Sequence, residues 1–129
     1  MPNEHRQRAF DLEERTHRFA LRVRKCLKQL PRSIITECDG RQLVRSSGSI
    51  GANYIEANEN VGDRDFLYRI KICRKEAKES RFWLQLLLID EASSLAQERT
   101  ALVNEADELT RIFATIHRNF AAKISNTRS

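Results

Sequence analysis

Residues 63–87 read DRDFLYRIKICRKEAKESRFWLQLL and carry the clearest helical pattern of the chain. Its stripe of apolar or small residues recurs at alternating spacings of four and three through three heptads: Phe66, Ile70, Cys73, Ala77, Ser80, Leu84 and Leu87. That period is typical of an amphipathic α-helix that buries one face against neighbouring helices. Asp63 stands at the start of the stripe, and we predict it as the N-cap of this helix.

Three further segments carry the same spacing. Pro31 ends the first of them. The stripes of the three segments are Leu12, Thr16, Phe19, Val23, Cys26 and Leu30, then Leu43, Ser47, Ile50, Tyr54 and Ala57, and finally Leu102, Ala106, Leu109, Phe113, Ile116 and Phe120. We therefore predict four helices at about 8–30, 35–60, 64–91 and 95–124, with residues 125–129 frayed. Short connections between such helices favour antiparallel neighbours, so the prediction is a single domain over 1–129, an all-α, up-down-up-down four-helix bundle.

Composition agrees with this fold class. The 129 residues are 40% hydrophobic and 32% charged, and they include only four Gly and two Pro. So few turn-forming residues exclude the many tight turns of a β-sandwich or barrel. No run of 18 apolar residues occurs, and the charged N-terminus lacks the apolar core of a signal peptide, so we expect a protein of the cytoplasm with no membrane partner.

Catalytic and metal chemistry find little support in the residue pattern. A di-iron bundle needs two Glu-x-x-His pairs, and the chain offers one, Glu14 with His17. The three cysteines, an odd number without C-x-x-C spacing, predict neither a disulfide framework nor a zinc ribbon. Cys26 and Cys73 lie on apolar stripes, where free cysteine usually behaves as a small hydrophobe, although the sequence leaves open a contact between Cys73 and a histidine. We expect no enzyme activity, no cofactor and no metal.

The second helix has an unusually small and polar stripe. Gly40, Gly48 and Gly51 would each weaken a helix interior, and their surroundings do not match a phosphate-binding loop, so we predict close helix packing instead. Asn53 and Glu56 lie one turn apart on the flank of this stripe. We expect both to be partly buried in a hydrogen-bond network that fixes helix register or a subunit contact; the alternative is an active-site carboxylate.

Excess positive charge is confined to the first quarter of the chain. Residues 1–32 hold 9 Lys and Arg against 4 Asp and Glu, whereas the remaining residues are balanced. One face of the first helix carries four cations that we predict as a nucleic-acid contact: Arg15, Arg18, Arg22 and Lys25. The alternative is an ordinary solvated face. We interpret the cations of the third helix as largely salt-bridged within that helix, with Lys75 and Glu79 as an i,i+4 pair, and we expect Trp83 at a subunit contact.

Two stretches resemble one known family. RSSGSIGANYIEAN at 45–58, with its Ser49-x-x-x-Asn53-x-x-Glu56 motif, and DFLYRIKICRKEAKESRFWLQLL at 65–87 resemble the four-helix-bundle proteins encoded in intervening sequences of bacterial 23S ribosomal RNA genes. The resemblance spans roughly residues 10–92 and includes the Leu-Pro break before residue 32. Family members commonly have Gly after the motif glutamate, where this chain has Ala57.

The resemblance implies a bacterial protein that forms a homopentamer, has no known enzymatic activity and is linked to RNA. A related group, the accessory variability proteins of diversity-generating retroelements, is similar in fold and is thought to bind nucleic acid and a reverse transcriptase. Leu86, Leu88 and Ile89 leave the end of the third helix apolar nearly all round, which also predicts an oligomer. We therefore expect an oligomeric, RNA-associated bundle; the alternative is a protein-interaction scaffold without an RNA role.

Overall fold

Four helices form the protein in the computed structural model, which describes residues 4–59 and 62–128. They are α1 (Glu4–Lys28), α2 (Ile34–Asn58), α3 (Asp63–Leu86) and α4 (Ser94–Arg128), and the described residues contain no strand. The predicted all-α class is confirmed.

Contacts between helices show that sequence neighbours run antiparallel. Along each pair of helices, the partner's residue number falls as the first one rises: Leu27 with Gly40 and Thr16 with Gly51, Arg45 with Glu76 and Asn53 with Arg69, Phe66 with Phe120 and Arg81 with Asp107, and Arg15 with Glu105 and Arg22 with Glu98. The first and last helices therefore close the bundle, and its topology is up-down-up-down as predicted.

The predicted stripes form the core. Phe19, Ile50, Ile70, Leu84 and Phe113 are among its fully buried side chains. They belong to all four helices, so a single apolar core runs along the axis of the bundle. Burial of such side chains contributes roughly 1.5–3 kcal/mol each relative to exposure, which makes this core the main source of stability.

Two helix boundaries differ from the sequence prediction at α3. Its N-cap is Gly62 at φ +129°, a left-handed conformation that favours glycine, and Asp63 is the first helical residue rather than the cap. The helix ends at Leu86 instead of about residue 91. Arg99 of α4 stabilises this end: its guanidinium donates to the Leu87 carbonyl at 2.9 Å and, at 3.4 Å, to the Leu84 carbonyl, which also accepts the backbone N–H of Leu87.

The outer ends of α1 and α4 are longer than predicted. Helix α1 begins at Glu4, and α4 continues to Arg128, so the described residues 125–128 are helical where we expected fraying. Helix α2 begins at Ile34, one residue before the predicted start at about 35, because Ser33 caps it by accepting a hydrogen bond from the Thr36 amide at 3.1 Å. The predicted end of α2 at residue 60 lies outside the described residues.

Glycines let α1 and α2 approach closely, as predicted. A Cβ placed on Gly51 would lie 2.9 Å from Thr16 Oγ1, which is too close for a carbon atom. The Thr16 hydroxyl is buried and donates back to the Leu12 carbonyl at 2.8 Å. This contact fixes the register of α1 against α2.

Candidate nucleic-acid interface

The predicted cationic face of α1 lies along α4. Arg15 forms a two-pronged contact with Glu105, with Nε to Oε2 at 2.7 Å and Nη2 to Oε1 at 2.8 Å, and it also binds Glu108. Arg22 contacts Glu98 in the same manner at 3.2 and 2.8 Å. These hydrogen bonds to carboxylates raise the pKa of both guanidinium groups. Two of the four predicted cations therefore join α1 to α4.

The other two cations of this face point to solvent. Arg18 lies 3.4 Å from the carboxylate of Glu14 on its own helix, and both side chains are exposed. Lys25 is exposed and makes no ion pair with any residue that the structure describes. The α1 face thus offers less free positive charge than the sequence indicates.

Carboxylates of α3 turn toward α2. Glu76 has only 5% of its surface exposed and receives a hydrogen bond of 2.8 Å from Arg45 of α2. Arg45 also binds Glu79, so the predicted pair of Lys75 with Glu79 is wrong. A single arginine of the neighbouring helix thus occupies both acidic side chains in the middle of α3.

This pairing leaves the outer surface of α3 positive. We call six of its residues the outer line of α3, since they follow one another at spacings of four, three, four, three and four: Arg64, Tyr68, Lys71, Lys75, Lys78 and Phe82. All six are exposed, and none of the four cations makes an ion pair with a described residue. Arg74, also exposed and unpaired within the described chain, lies beside them.

The outer line spans about 27 Å at 1.5 Å per residue. The acidic side chains of α3 pair elsewhere. Glu76 and Glu79 bind Arg45 of α2, and Asp65 lies 3.7 Å from Arg69 of its own helix. The sequence did not predict this surface, because the positive and negative residues of α3 were taken to pair with each other within the helix. The regular spacing of its cations was the signal that separates them from the acidic residues.

The motif at Ser49, Asn53 and Glu56 is only partly a network. Asn53 is half-buried; its amide nitrogen donates to the Ser49 carbonyl and hydroxyl at 2.9 and 3.0 Å, and its oxygen accepts from Arg69 at 3.1 Å. Glu56 is exposed, contrary to the expected partial burial, and its carboxylate has no partner among the described residues. Ser49 and Asn53 therefore link α2 to α3, whereas Glu56 faces solvent.

The cysteines occupy two environments. Cys26 and Cys73 are buried, and burial raises the pKa of both thiols, for Cys73 to about 12. The Cys73 thiol donates to the Ile50 carbonyl at 3.4 Å. Cys38 is exposed. Within the described part of the chain, no three His, Cys, Asp or Glu side chains come together as a metal site.

A cleft of about 1270 Å³ lies at one end of the bundle, between the first turns of α1 and the later turns of α4. Leu12, Tyr54 and Ile116 are among its apolar lining residues. Burial raises the pKa of the Tyr54 hydroxyl. The cleft begins where the ion pairs between α1 and α4 end, at Arg15.

Two remaining features are the environment of Trp83 and the hydropathy of the helices. Trp83 is half-buried, packs against the core and contacts Phe82 edge-on with ring centroids 5.1 Å apart. Its expected place at a subunit contact stays a prediction. None of the described helices is both long enough and apolar enough to cross a membrane.

Fold and surface together define an antiparallel four-helix-bundle protein whose third helix, α3, has a basic outer surface. The chain belongs to the family described as 23S rRNA-intervening sequence protein, which matches residues 8–115. This result confirms the resemblance and extends it into α4.

A solved structure supports the same assignment. The chain is similar to the crystal structure of a protein of unknown function from the S23 ribosomal protein family of Bacteroides thetaiotaomicron, with a TM-score of 0.68 and 27% identity. The similarity covers 81% of this chain and 96% of that one. No curated protein matches the chain.

Proposed function

We propose that this protein is a non-enzymatic, oligomeric four-helix bundle that binds structured RNA through a basic surface. The observation that carries the proposal is the outer line of α3, where four exposed cations have no carboxylate partner among the described residues. Unpaired cations on one helix face attract phosphates and release counterions when they bind them. The family description links these proteins to the intervening sequences of 23S rRNA, so RNA is the nucleic acid that we test.

The outer line of α3 is a better phosphate contact than the α1 face. Arg15 and Arg22 would have to leave Glu105 and Glu98 to bind a phosphate, whereas Lys71, Lys75 and Lys78 need give up no ion pair with a described residue. Arg18 and Lys25 on α1 remain candidates for additional phosphate contacts.

A group of exposed aliphatic residues supports the oligomer. Ile34 and Ile35 at the start of α2 and Leu86 and Leu88 at the end of α3 lie at the same end of the bundle, and all four are exposed. Exposed apolar patches of this kind mark interaction sites. The family resemblance implies five subunits, which would repeat each basic surface around a ring and strengthen weak contacts by multivalency.

The test is the salt dependence of binding to a labelled RNA hairpin with an unpaired loop. Each phosphate contact contributes about 0.7–0.9 to the slope of log affinity against log salt. We expect K71Q/K75Q/K78Q to lower the slope by about 2 to 3 and to weaken binding to unrelated hairpins equally, since phosphate contacts carry no sequence information.

The comparison variant is R18Q/K25Q on α1, which leaves the arginines bound to α4 in place and should lower the slope by less than the α3 variant. If this variant loses the binding and the α3 variant keeps it, the contact lies on α1. If the wild type shows no salt-dependent binding to RNA, the proposed function is wrong. An assembled oligomer without RNA binding would then favour the interaction scaffold, to which the exposed aliphatic group is suited.

A further inference from the structure

We infer that Tyr68 and Phe82 stack on unpaired bases, so that the outer line of α3 binds a single-stranded RNA segment or a loop rather than duplex RNA. This inference rests on the proposed function, the binding of a structured RNA through contacts to its phosphates. It adds the conformation of the ligand and two residues that contact its bases.

The positions of the two aromatic rings carry the argument. Tyr68 is 61% exposed and Phe82 is 55% exposed, and both lie on the same helix line as the cations. Lys71, Lys75 and Lys78 stand between them. The two aromatic residues are 14 positions apart, which corresponds to about 21 Å along α3.

Their surroundings leave the rings available. Tyr68 stacks on no aromatic ring among the described residues, and Phe82 contacts Trp83 only edge-on. Single exposed aromatic residues are common on protein surfaces and need no explanation. Two of them in register with a row of unpaired cations form the combination by which proteins bind single strands, a charged track for the backbone and flat rings for the bases.

Duplex RNA does not fit this surface as well. In an A-form helix the bases are stacked on each other, and the backbone and the shallow minor groove face the protein. Exposed rings reach a base face only where the bases are unstacked, as in loops, bulges and single strands. The aromatic residues therefore select the unpaired parts of a folded RNA.

A subunit contact is the main competing use of these rings. Phe82 lies one turn before Leu86, which belongs to the exposed aliphatic group, so a second copy of the chain could cover it. Tyr68 lies more than four turns from Leu86 and near the other end of α3. Tyr68 is therefore the residue that separates base stacking from assembly.

The experiment measures binding of two fluorescent probes to the full-length protein, an oligouridylate of about 12 nucleotides and an RNA duplex of the same length. We expect Y68S to weaken oligouridylate binding roughly 5- to 150-fold, which is the effect of losing one base stack. Its salt slope should not change, because no phosphate contact is lost. Y68W should bind like the wild type.

Phe10 on α1 supplies the matched control, since it is also 61% exposed and lies away from the outer line. F10S should leave the affinity for both probes unchanged. The inference is overturned if Y68S binds oligouridylate as tightly as the wild type, if the wild type prefers the duplex, or if Y68S changes the oligomer mass in light scattering. In the first two cases salt-dependent binding would still support the proposed function, whereas its absence with both probes would refute both.

Discussion

Glu76 is the buried carboxylate among the residues that the structure describes, and Arg45 is its counterion. We expect R45A to destabilise the protein by about 1–3 kcal/mol, because it leaves a buried acceptor without its charged partner. Urea unfolding followed by circular dichroism measures the change. The exposed R74A, which removes the same side chain from a position without an ion pair in the described chain, should change stability by less than about 0.5 kcal/mol. Equal effects of the two variants would show that the Arg45 contact adds nothing.

Glu56 should behave as a surface residue, which reverses the expectation from sequence. Its carboxylate is exposed and lacks a partner among the described residues. E56A should therefore unfold within about 0.5 kcal/mol of the wild type, whereas N53A should lose more because Asn53 joins Ser49 to Arg69. A marked loss of thermal stability in E56A would contradict this assignment.

The thiols give a residue-scale test that depends on pH. At pH 8, iodoacetamide should label Cys38 and leave Cys26 and Cys73 unmodified in the native protein, as mass spectrometry would show. Burial raises the pKa of Cys73 to about 12, so its reactive thiolate is scarce at pH 8. Because the thiol of the unfolded chain ionises at lower pH, stability should fall as the pH rises from about 9 toward 12. Rapid labelling of Cys73 in the folded protein would contradict its burial.

Residue roles were predictable where periodicity alone decides them. Phe19, Ile50 and Leu84 are buried because they lie on the apolar stripes of their own helices. Glu56 and Glu76 each stand one position from such a stripe, and the sequence does not distinguish them. Burial of Glu76 depends on an arginine 31 positions away, which periodicity within one helix does not identify.

Replacing two glycines of α2 by alanine should change the stability of the protein in opposite directions. G40A should stabilise the protein by up to about 1 kcal/mol, since alanine favours the helix and its Cβ would meet Leu27 at 3.7 Å, an ordinary contact. G51A should destabilise it, because the added carbon would lie 2.9 Å from the buried Thr16 hydroxyl. Thermal unfolding of both variants, and of G51A combined with T16A, checks the argument. The second substitution should recover part of the loss; if it does not, the close approach at Thr16 is not the cause.

The sequence did not predict which side chains pair between neighbouring helices. Lys75 and Glu79 have the spacing of an ion pair within one helix, yet Arg45 reaches Glu79 from α2. The end of α3 has a similar cause, since Arg99 of α4 binds its last carbonyl oxygens. Both outcomes depend on the rotation of one helix against the next, and the pattern of a single helix carries no information about that rotation.

For the whole molecule, the exposed aliphatic group predicts assembly. Light scattering at micromolar concentration should give an oligomer, and the double variant I34E/L88E should shift the mass toward the monomer, because charges at an apolar contact oppose association. Ile34 and Leu88 are 79% and 66% exposed, so the monomer should keep its helical circular dichroism. The control is F10E. It changes a similarly exposed residue at the opposite end of the bundle and should assemble normally. A monomeric wild type would refute the proposed oligomer.

The cleft beside Arg15 predicts that this end of the bundle opens before the rest. Beyond Arg15, the early turns of α1 have no ion pair to α4 among the described residues, and the cleft separates the two helices there. Amide hydrogens near the start of α1 should therefore exchange with deuterium through local opening at low free energy, while those around Phe19 and Val23 exchange only when the bundle unfolds. In R15A, rapid exchange should advance toward Phe19 and leave α2 and α3 protected. We therefore expect the ion pair of Arg15 to mark the boundary between the part of α1 that fluctuates independently and the part that unfolds together with the core.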